Sequence, residues 1–346
     1  MARWRVSRGR LLLVLQAAAA GGIGLAFGWL VIREVQWAQV GRALQQASVP
    51  LLLLALGLVV VAGLLRGVRW RLLFVHERVS ALRLFLVESA GVGVNNVSPL
   101  RFLGEPVQFG LLTLRDRLSG GVVLATLAAQ RTFELATQVL LLGTGLLLLP
   151  PLQRFAPYIL AAVVFSSLSI AALFTIGPIL ARVPALARLH LAQEFSRGVA
   201  LMRQRKGRVA ASFLLTVGYA LTVGLAGWMV ALATGLALPF VALVVITLAT
   251  LFFSSSVPGL PGALGTFEFA AVFLVGLWAV DRSTAFSFAI LLHAILFLPP
   301  MLIALLVLPR EGVGSVRAVG ELVRHWRLRA AAQPPEPMVV PGREGR

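Results

Sequence analysis

The sequence predicts an all-α, polytopic integral membrane protein, on three observations. Apolar residues make up 59% of the 346 residues and charged residues only 13%, against roughly half and a quarter in soluble domains. Apolar runs longer than ~18 residues recur, as membrane-crossing helices require. The basic residues gather between those runs, where positive charge marks the cytoplasmic side.

In chain order, the basic segment 1–10 leads into the apolar run 11–32. That run exceeds the about 7–15 residues of a signal-peptide core, so it reads as a retained first span. Further apolar runs fall at 50–65, 84–97, 120–149, 157–180, 209–233, 239–256, 267–280 and 284–308. Basic stretches fall at 1–10, 66–83, 182–208 and 310–329, whereas the connections near 33–49, 150–156, 234–238 and 281–283 carry little charge. Stretches on one side of a bilayer are separated by an even number of crossings. Runs 84–97, 120–149 and 157–180 lie between two basic stretches, so one of the three does not cross. Run 84–97 would reach only about 21 Å as a helix, short of the ~30 Å hydrocarbon core. It is expected to be a re-entrant or interfacial helix. About eight spans remain, with both termini cytoplasmic. The expected division is a basic cytoplasmic N-terminus (1–10), a transmembrane domain (11–309) and a basic, partly disordered tail (310–346) whose end is Pro-rich.

Two polar hinges interrupt the apolar sequence, NNVSPLRFLGEP (Asn95–Pro106) and SSSVPGLPGALGTFE (Ser254–Glu268). Bent backbone at membrane depth survives only when packed in protein or lining a wet cavity. Discontinuous helices in two halves are a recurring way to build a transport site. Each hinge is followed by an Asp-Arg pair, Asp116-Arg117 and Asp281-Arg282, and then a long apolar run. In the topology above those two runs point in opposite directions, as an inverted repeat requires. Thr266 is expected to cap the helix after the second hinge.

Several function classes are excluded or disfavoured. The chain has no cysteine, which removes disulfides, thiolate metal sites and cysteine nucleophiles. His76, His190, His293 and His325 show no zinc spacing, and no Walker or GxSxG motif occurs. No cofactor and no enzymatic activity are expected. The net charge of +18 belongs to loops facing anionic headgroups rather than to nucleic-acid binding.

The candidate site residues are polar groups inside apolar sequence. Arg131 and Glu134 stand three apart, on one helix face. They either handle a lipid phosphate or form a self-neutralising pair that locks helices. Glu105, before Pro106, and Glu268 each admit two readings, helix capping or contact with a cationic headgroup or proton. Asn95, Asn96 and Ser98 satisfy the bent backbone, with Asn95 and Asn96 also placed to line a headgroup cavity. Arg101 is a phosphate contact or an interfacial anchor. His293 is a hydrogen-bonding residue between helices or a proton relay, and Pro299-Pro300 beyond it should kink its span. Arg66, Arg69, Trp70 and Arg71 look like an interfacial anchor.

Four segments in order, RGVRWRLLF (Arg66–Phe74), NNVSPLRFLGE, QRTFEL (Gln130–Leu135) and VPGLPGALGTFE, resemble the lysylphosphatidylglycerol synthase transmembrane family. This family includes the flippase-like half of multiple peptide resistance factor. The resemblance covers roughly residues 10–308. It places the family's acidic positions on Glu105, Glu134 and Glu268, with Gln130 and Glu134 departing from the usual pattern and His293 standing where a basic residue is common. It implies translocation of a polar phospho-, aminoacyl- or glycolipid across the bacterial inner membrane. The alternative is a non-transporting membrane partner of a lipid-modifying or glycosyl-transferring enzyme. The partners implied are membrane lipids. The soluble synthase domain has no counterpart in this chain, so no synthase activity is implied.

Overall fold

The computed structural model describes residues 8–98, 103–182, 190–257 and 259–313. The expectations for residues 1–7, for Arg101 and for the tail beyond 313 lie outside the described residues, as do the two hinge prolines Pro99 and Pro258. Among the described residues the regular elements are all helical. They are α1 (Arg8–Ile32), α2 (Trp37–Gln46), α3 (Val49–Leu73), α4 (Ala81–Val97), α5 (Gly104–Gly110) running into a π turn (Leu111–Arg115), and α6 (Gly120–Leu148). After a 3₁₀ turn (Pro150–Phe155) come α7 (Ala156–Arg182), α8 (His190–Gln204), α9 (Lys206–Ala233), α10 (Phe240–Ser256), a second 3₁₀ turn (Pro261–Ala263), α11 (Thr266–Gly276) and α12 (Arg282–Arg310).

This is the expected all-α polytopic architecture. Among the described residues, four helical segments are long and apolar enough to cross a bilayer on their own: α3, the segment Pro150–Leu173, α9 and α12. They become five if α1 and α2, bent by 87° between Ile32 and Trp37, count as one broken span. The remainder of the expected set differ in kind. α6 has 29 residues but carries Gln130, Arg131 and Glu134 near its middle. α4 and α10 have 17 residues each and α11 has 11. Large apolar side chains such as Leu147, Leu214 and Leu305 stand fully outward, as lipid-facing residues do and soluble surfaces rarely allow in such number.

The two ends of the bundle separate by charge. At one end, Arg208 donates to the carbonyls of Phe74 (2.8 Å) and Arg71 (3.3 Å), capping the C-terminus of α3 with a cation. At the same end Arg83 pairs with Asp116 at 3.0 Å and with Glu311 at 2.5 Å. This joins the basic stretches that the charge pattern placed on one side. At the other end the weakly charged connections meet. Gln39 donates to Asp281 at 2.8 Å, Arg282 pairs with Glu34 at 2.5 Å, and Ser48 N–H donates to the Ala233 carbonyl at 3.1 Å.

Both hinges are breaks between a 17-residue helix and a second helix with an acid in its first turn. In the first, Asn95 Oδ1 accepts from Gly104 N–H at 2.7 Å, so an amide side chain supplies the first partner of α5. Glu105 is therefore not the cap that its place before Pro106 suggests. In the second, Gly262 and Gly265 have φ of 73° and 82°, conformations that L side chains resist. The cap position is Gly265, not Thr266, and the Glu268 carboxylate reaches back to the Gly265 N–H at 2.7 Å. A side chain on Gly265 would also stand 2.1 Å from the Gly24 carbonyl of α1. α12 runs through Pro299 and Pro300 without ending.

Replacing Gly265 by Ala forces both a left-handed φ and a backbone clash. It should cost about 1–3 kcal/mol, seen as a lower melting temperature of the purified protein. Asp281 caps α12 by accepting from Ser283 N–H and Thr284 N–H. Its partial burial opposes the charge, but hydrogen bonds from Thr284, Ser283 and Gln39 outweigh burial and hold its carboxyl below the ordinary value. Asp281→Ala should cost ~1 kcal/mol at neutral pH. A depressed folded value means the stabilisation is complete above the ordinary aspartate range and is lost as pH falls below it. The melting difference between parent and variant should shrink on acidification.

Candidate functional site

The residues that build the site are ions placed in helices otherwise made of apolar side chains. α3 has an almost wholly apolar sequence until its last two turns, where Arg66, Arg69 and Arg71 appear. α4 carries one acid, Glu88, among small and apolar residues. α6 brings the adjacent Gln130 and Arg131 and, about one turn later, Glu134. Charge in such surroundings is costly unless paired, and the fold brings these groups together.

Arg69 is the centre. It is completely buried. Its guanidinium donates to Glu88 (3.3 Å), to Gln130 Oε1 (3.3 Å), to Thr216 on α9 (3.2 Å) and to Glu134. Arg66, one turn earlier, pairs with Glu88 at 2.7 Å and lies 3.7 Å from Glu134. Arg131 pairs with Glu134 at 2.8 Å and with Glu105 of α5. Three arginines thus meet three carboxylates, contributed by α3, α4, α5 and α6. The ring of Tyr219 lies 5.3 Å from the Arg66 guanidinium carbon and 5.5 Å from that of Arg69, within cation–π reach.

One side of this network opens on a cavity of about 430 Å³. Its charged and amide lining is Arg66, Glu88, Asn95, Asn96, Glu105 and Arg131, with Tyr219 and the hydroxyls of Ser89, Ser254 and Ser255 beside them. Its apolar wall comes from α3, α10 and α12, including Val59, Leu251, Phe297 and Pro300. Glu88 Oε2 is buried with no hydrogen-bond partner, which leaves acceptor capacity in the wall. Such a chamber, polar on one side and greasy on the other, matches an amphiphile rather than an ion or a sugar alone.

The sequence candidates divide. Arg131, Glu105, Asn95 and Asn96 converge on the cavity, and Glu134 lies behind Arg131 as its counter-ion. Arg101 lies outside the described residues. Glu268 and His293 are not in the cavity wall; they form a second pair, Nδ1 to Oε1 at 2.5 Å, inside the other hinge. The interfacial-anchor reading of Arg69 and Trp70 is corrected: both are fully buried, and Trp70 Nε1–H donates to Thr126 at 3.1 Å. Buried partners on α4 and α6 hold them inside. Glu88 and Tyr219 are absent from the sequence-derived set. A lone acid inside an apolar run was the available signal for Glu88; nothing in the sequence marks Tyr219. Among the described residues, no three His, Asp or Glu side chains converge to hold a metal ion.

Truncating Arg69 leaves Glu88 and Glu134 buried beside fewer cations. Arg69→Ala should destabilise the fold by about 3–5 kcal/mol, whereas the neutralised pair Arg69→Met with Glu134→Gln should cost less. Thermal aggregation of the two purified variants in one detergent measures the difference.

No curated protein matches the chain. The lysylphosphatidylglycerol synthase TM region family matches residues 14–304, which contain both hinges, the ion network and the cavity. The protein belongs to the lysylphosphatidylglycerol synthase TM region family, membrane proteins tied to lipid handling.

Proposed function

We propose that this protein translocates a polar phospho-, aminoacyl- or glycolipid between the leaflets of the bacterial inner membrane, without catalysing a reaction. The observation that carries this reading is the cavity between α3, α4, α6, α10 and α12, with an arginine and carboxylate wall facing an apolar one. A headgroup moving along Arg66, Arg131, Glu105 and Glu88 exchanges water for fixed charges and amides. The acyl tails remain against the apolar wall or in lipid.

The balance of charge suits this task. Paired ions hold each other when the cavity is empty, so neither is left unneutralised. An anionic phosphate competes with Glu105 and Glu134 for Arg131, and a headgroup ammonium or hydroxyl finds the free valence of Glu88. Binding is then an exchange of partners rather than a new burial of charge. The exchange keeps barriers low in both directions, as passage requires. On this reading both termini are cytoplasmic, on the side that the basic segments mark.

The test is a reconstituted vesicle assay with fluorescent phosphatidylglycerol and phosphatidylethanolamine analogues, read by the fraction accessible to a membrane-impermeant quencher over time. Parent protein should accelerate exchange between leaflets. The charge-conserving double variant Arg131→Gln with Glu105→Gln should slow it by about tenfold, the equivalent of ~1.4 kcal/mol. Equal rates in parent and variant reject the cavity as the route. A parent that moves neither probe, yet co-purifies with a lipid-modifying enzyme, supports the partner role instead.

A further inference from the structure

The second ionic pair has a hydrogen count that its geometry dictates. His293 Nε2 lies 2.7 Å from the Gly262 carbonyl oxygen, which only accepts. Nε2 therefore carries a hydrogen. Nδ1 lies 2.5 Å from Glu268 Oε1, and two bare lone pairs do not approach that closely. A hydrogen sits between them, on the imidazole or on the carboxyl. The other oxygen, Oε2, accepts from Gly265 N–H at 2.7 Å. Glu268 and His293 together thus hold one proton more than a carboxylate and a neutral imidazole would.

We propose that Glu268 and His293 are a proton-binding site that fastens the second hinge closed beside the cavity, and that lipid passage is coupled to release of this proton. When the proton leaves to water, one ring hydrogen remains for two acceptors. Either the Gly262 carbonyl or the Glu268 carboxylate then faces a lone pair, and one of the two contacts must open. Gly262 sits against the end of α4: a side chain there would meet the Asn96 carbonyl at 3.4 Å. Asn96 lines the cavity, as does Phe297, whose ring lies 4.2 Å from that of His293. Loosening the His293 contact therefore bears on two residues of the cavity wall. The pair is nine-tenths buried, which restricts the proton's exchange with bulk water while the hinge is closed.

The helices packed around the pair bring few other ionisable groups. α10 carries no ionisable residue, and α1 carries none from 11 to 32. On α11 and between the end residues of α12 there is none besides the pair. From the other helices packed on α12, α2 brings Arg42, α3 brings Arg66, Arg69 and Arg71, and α4 brings Arg83 and Glu88. α9 brings Lys206, Arg208 and Tyr219. Among the described residues none of these makes a hydrogen bond or ion pair with Glu268 or His293.

Glu268→Gln is the informative variant. A glutamine reproduces every contact with neutral groups: Nε2–H donates to His293 Nδ1, Oε1 accepts from Gly265 N–H, and His293 Nε2–H keeps Gly262. It is a hinge locked in the proton-loaded arrangement. Hydrogen–deuterium exchange of the segment 259–265 is measured in parent and variant from about pH 5 to about pH 9, and their rate ratio at each pH cancels the chemistry of exchange. The ratio of parent to variant should rise with pH, by up to about tenfold per unit where opening releases one proton. A ratio that stays constant overturns the proton site. If the variant does not fold, nitrogen-15 spectra of His293 in the parent serve; a spectrum unchanged over that range overturns it equally.

The coupling half of the inference rests on the proposed translocation; the proton site does not. The same vesicles, with the same two lipid analogues, separate them. Parent exchange that varies with pH while Glu268→Gln stays flat supports coupling. Lipid exchange with no pH dependence in the parent rejects coupling and leaves translocation standing. A pH-dependent hinge in a protein that moves no lipid rejects translocation and leaves the proton site standing.

Discussion

The fold is organised around the cost of placing ions in a low-dielectric interior. Arg69 is buried completely. Its charge is tolerable only because Glu88 and Glu134 approach it, with Gln130 and Thr216 taking further hydrogens. These partners arrive on three other helices, Glu88 on α4, Gln130 and Glu134 on α6, and Thr216 on α9. α3, α4, α6 and α9 must therefore be in register before any of these charges is satisfied. Apolar packing alone is a weak guide to register among membrane helices, since lipid competes with it on equal terms. The network supplies the discrimination, and the cavity is the space left on its open side.

The same constraint explains the hinges. A broken helix exposes amides and carbonyls that lipid cannot satisfy. Asn95 closes the first break by accepting from Gly104. Glu268 closes the second by accepting from Gly265, and His293 takes the Gly262 carbonyl. In each hinge a polar side chain completes the backbone, and in each the completion stands next to a group facing the cavity. Structure and site share atoms here. Glycine is required where the second hinge crosses α1, because the Gly24 carbonyl occupies the space of any side chain at Gly265. The 87° bend between α1 and α2 turns the chain in the neighbourhood where Arg282 and Asp281 tie the far end of the bundle.

Among the described residues, the ionisable site candidates fall into two clusters. One is the arginine–carboxylate network at the cavity; the other is the Glu268–His293 pair in the second hinge. Their separation follows from chain geometry. Glu268 is bound to its own helix start, three residues after the break, and has little reach beyond α12. Glu105 also lies in a first turn, but its helix start is completed by Asn95, which frees the carboxylate for Arg131. Two acids in matching sequence positions thus take different tasks, decided by which neighbour satisfies the backbone.

Much was legible in the sequence because the bilayer imposes its rules on residue order. Long apolar runs, basic connections and two polar interruptions are enough to give an all-helical membrane protein with two broken elements, and the pairing of Arg131 with Glu134 follows from helical spacing. The ends of the bundle were legible too, since charge asymmetry is written along the chain. What the order of residues left open was which ions meet across helices. Arg69 and Trp70 look like interfacial residues when read beside Arg66 and Arg71, and only packing against α4, α6 and α9 shows them buried. Glu88 and Tyr219 acquire meaning from partners distant in sequence. Local rules govern helix formation and sidedness, because both are decided within a few turns. The lateral arrangement of helices is decided by long-range complementarity, which no window of sequence contains.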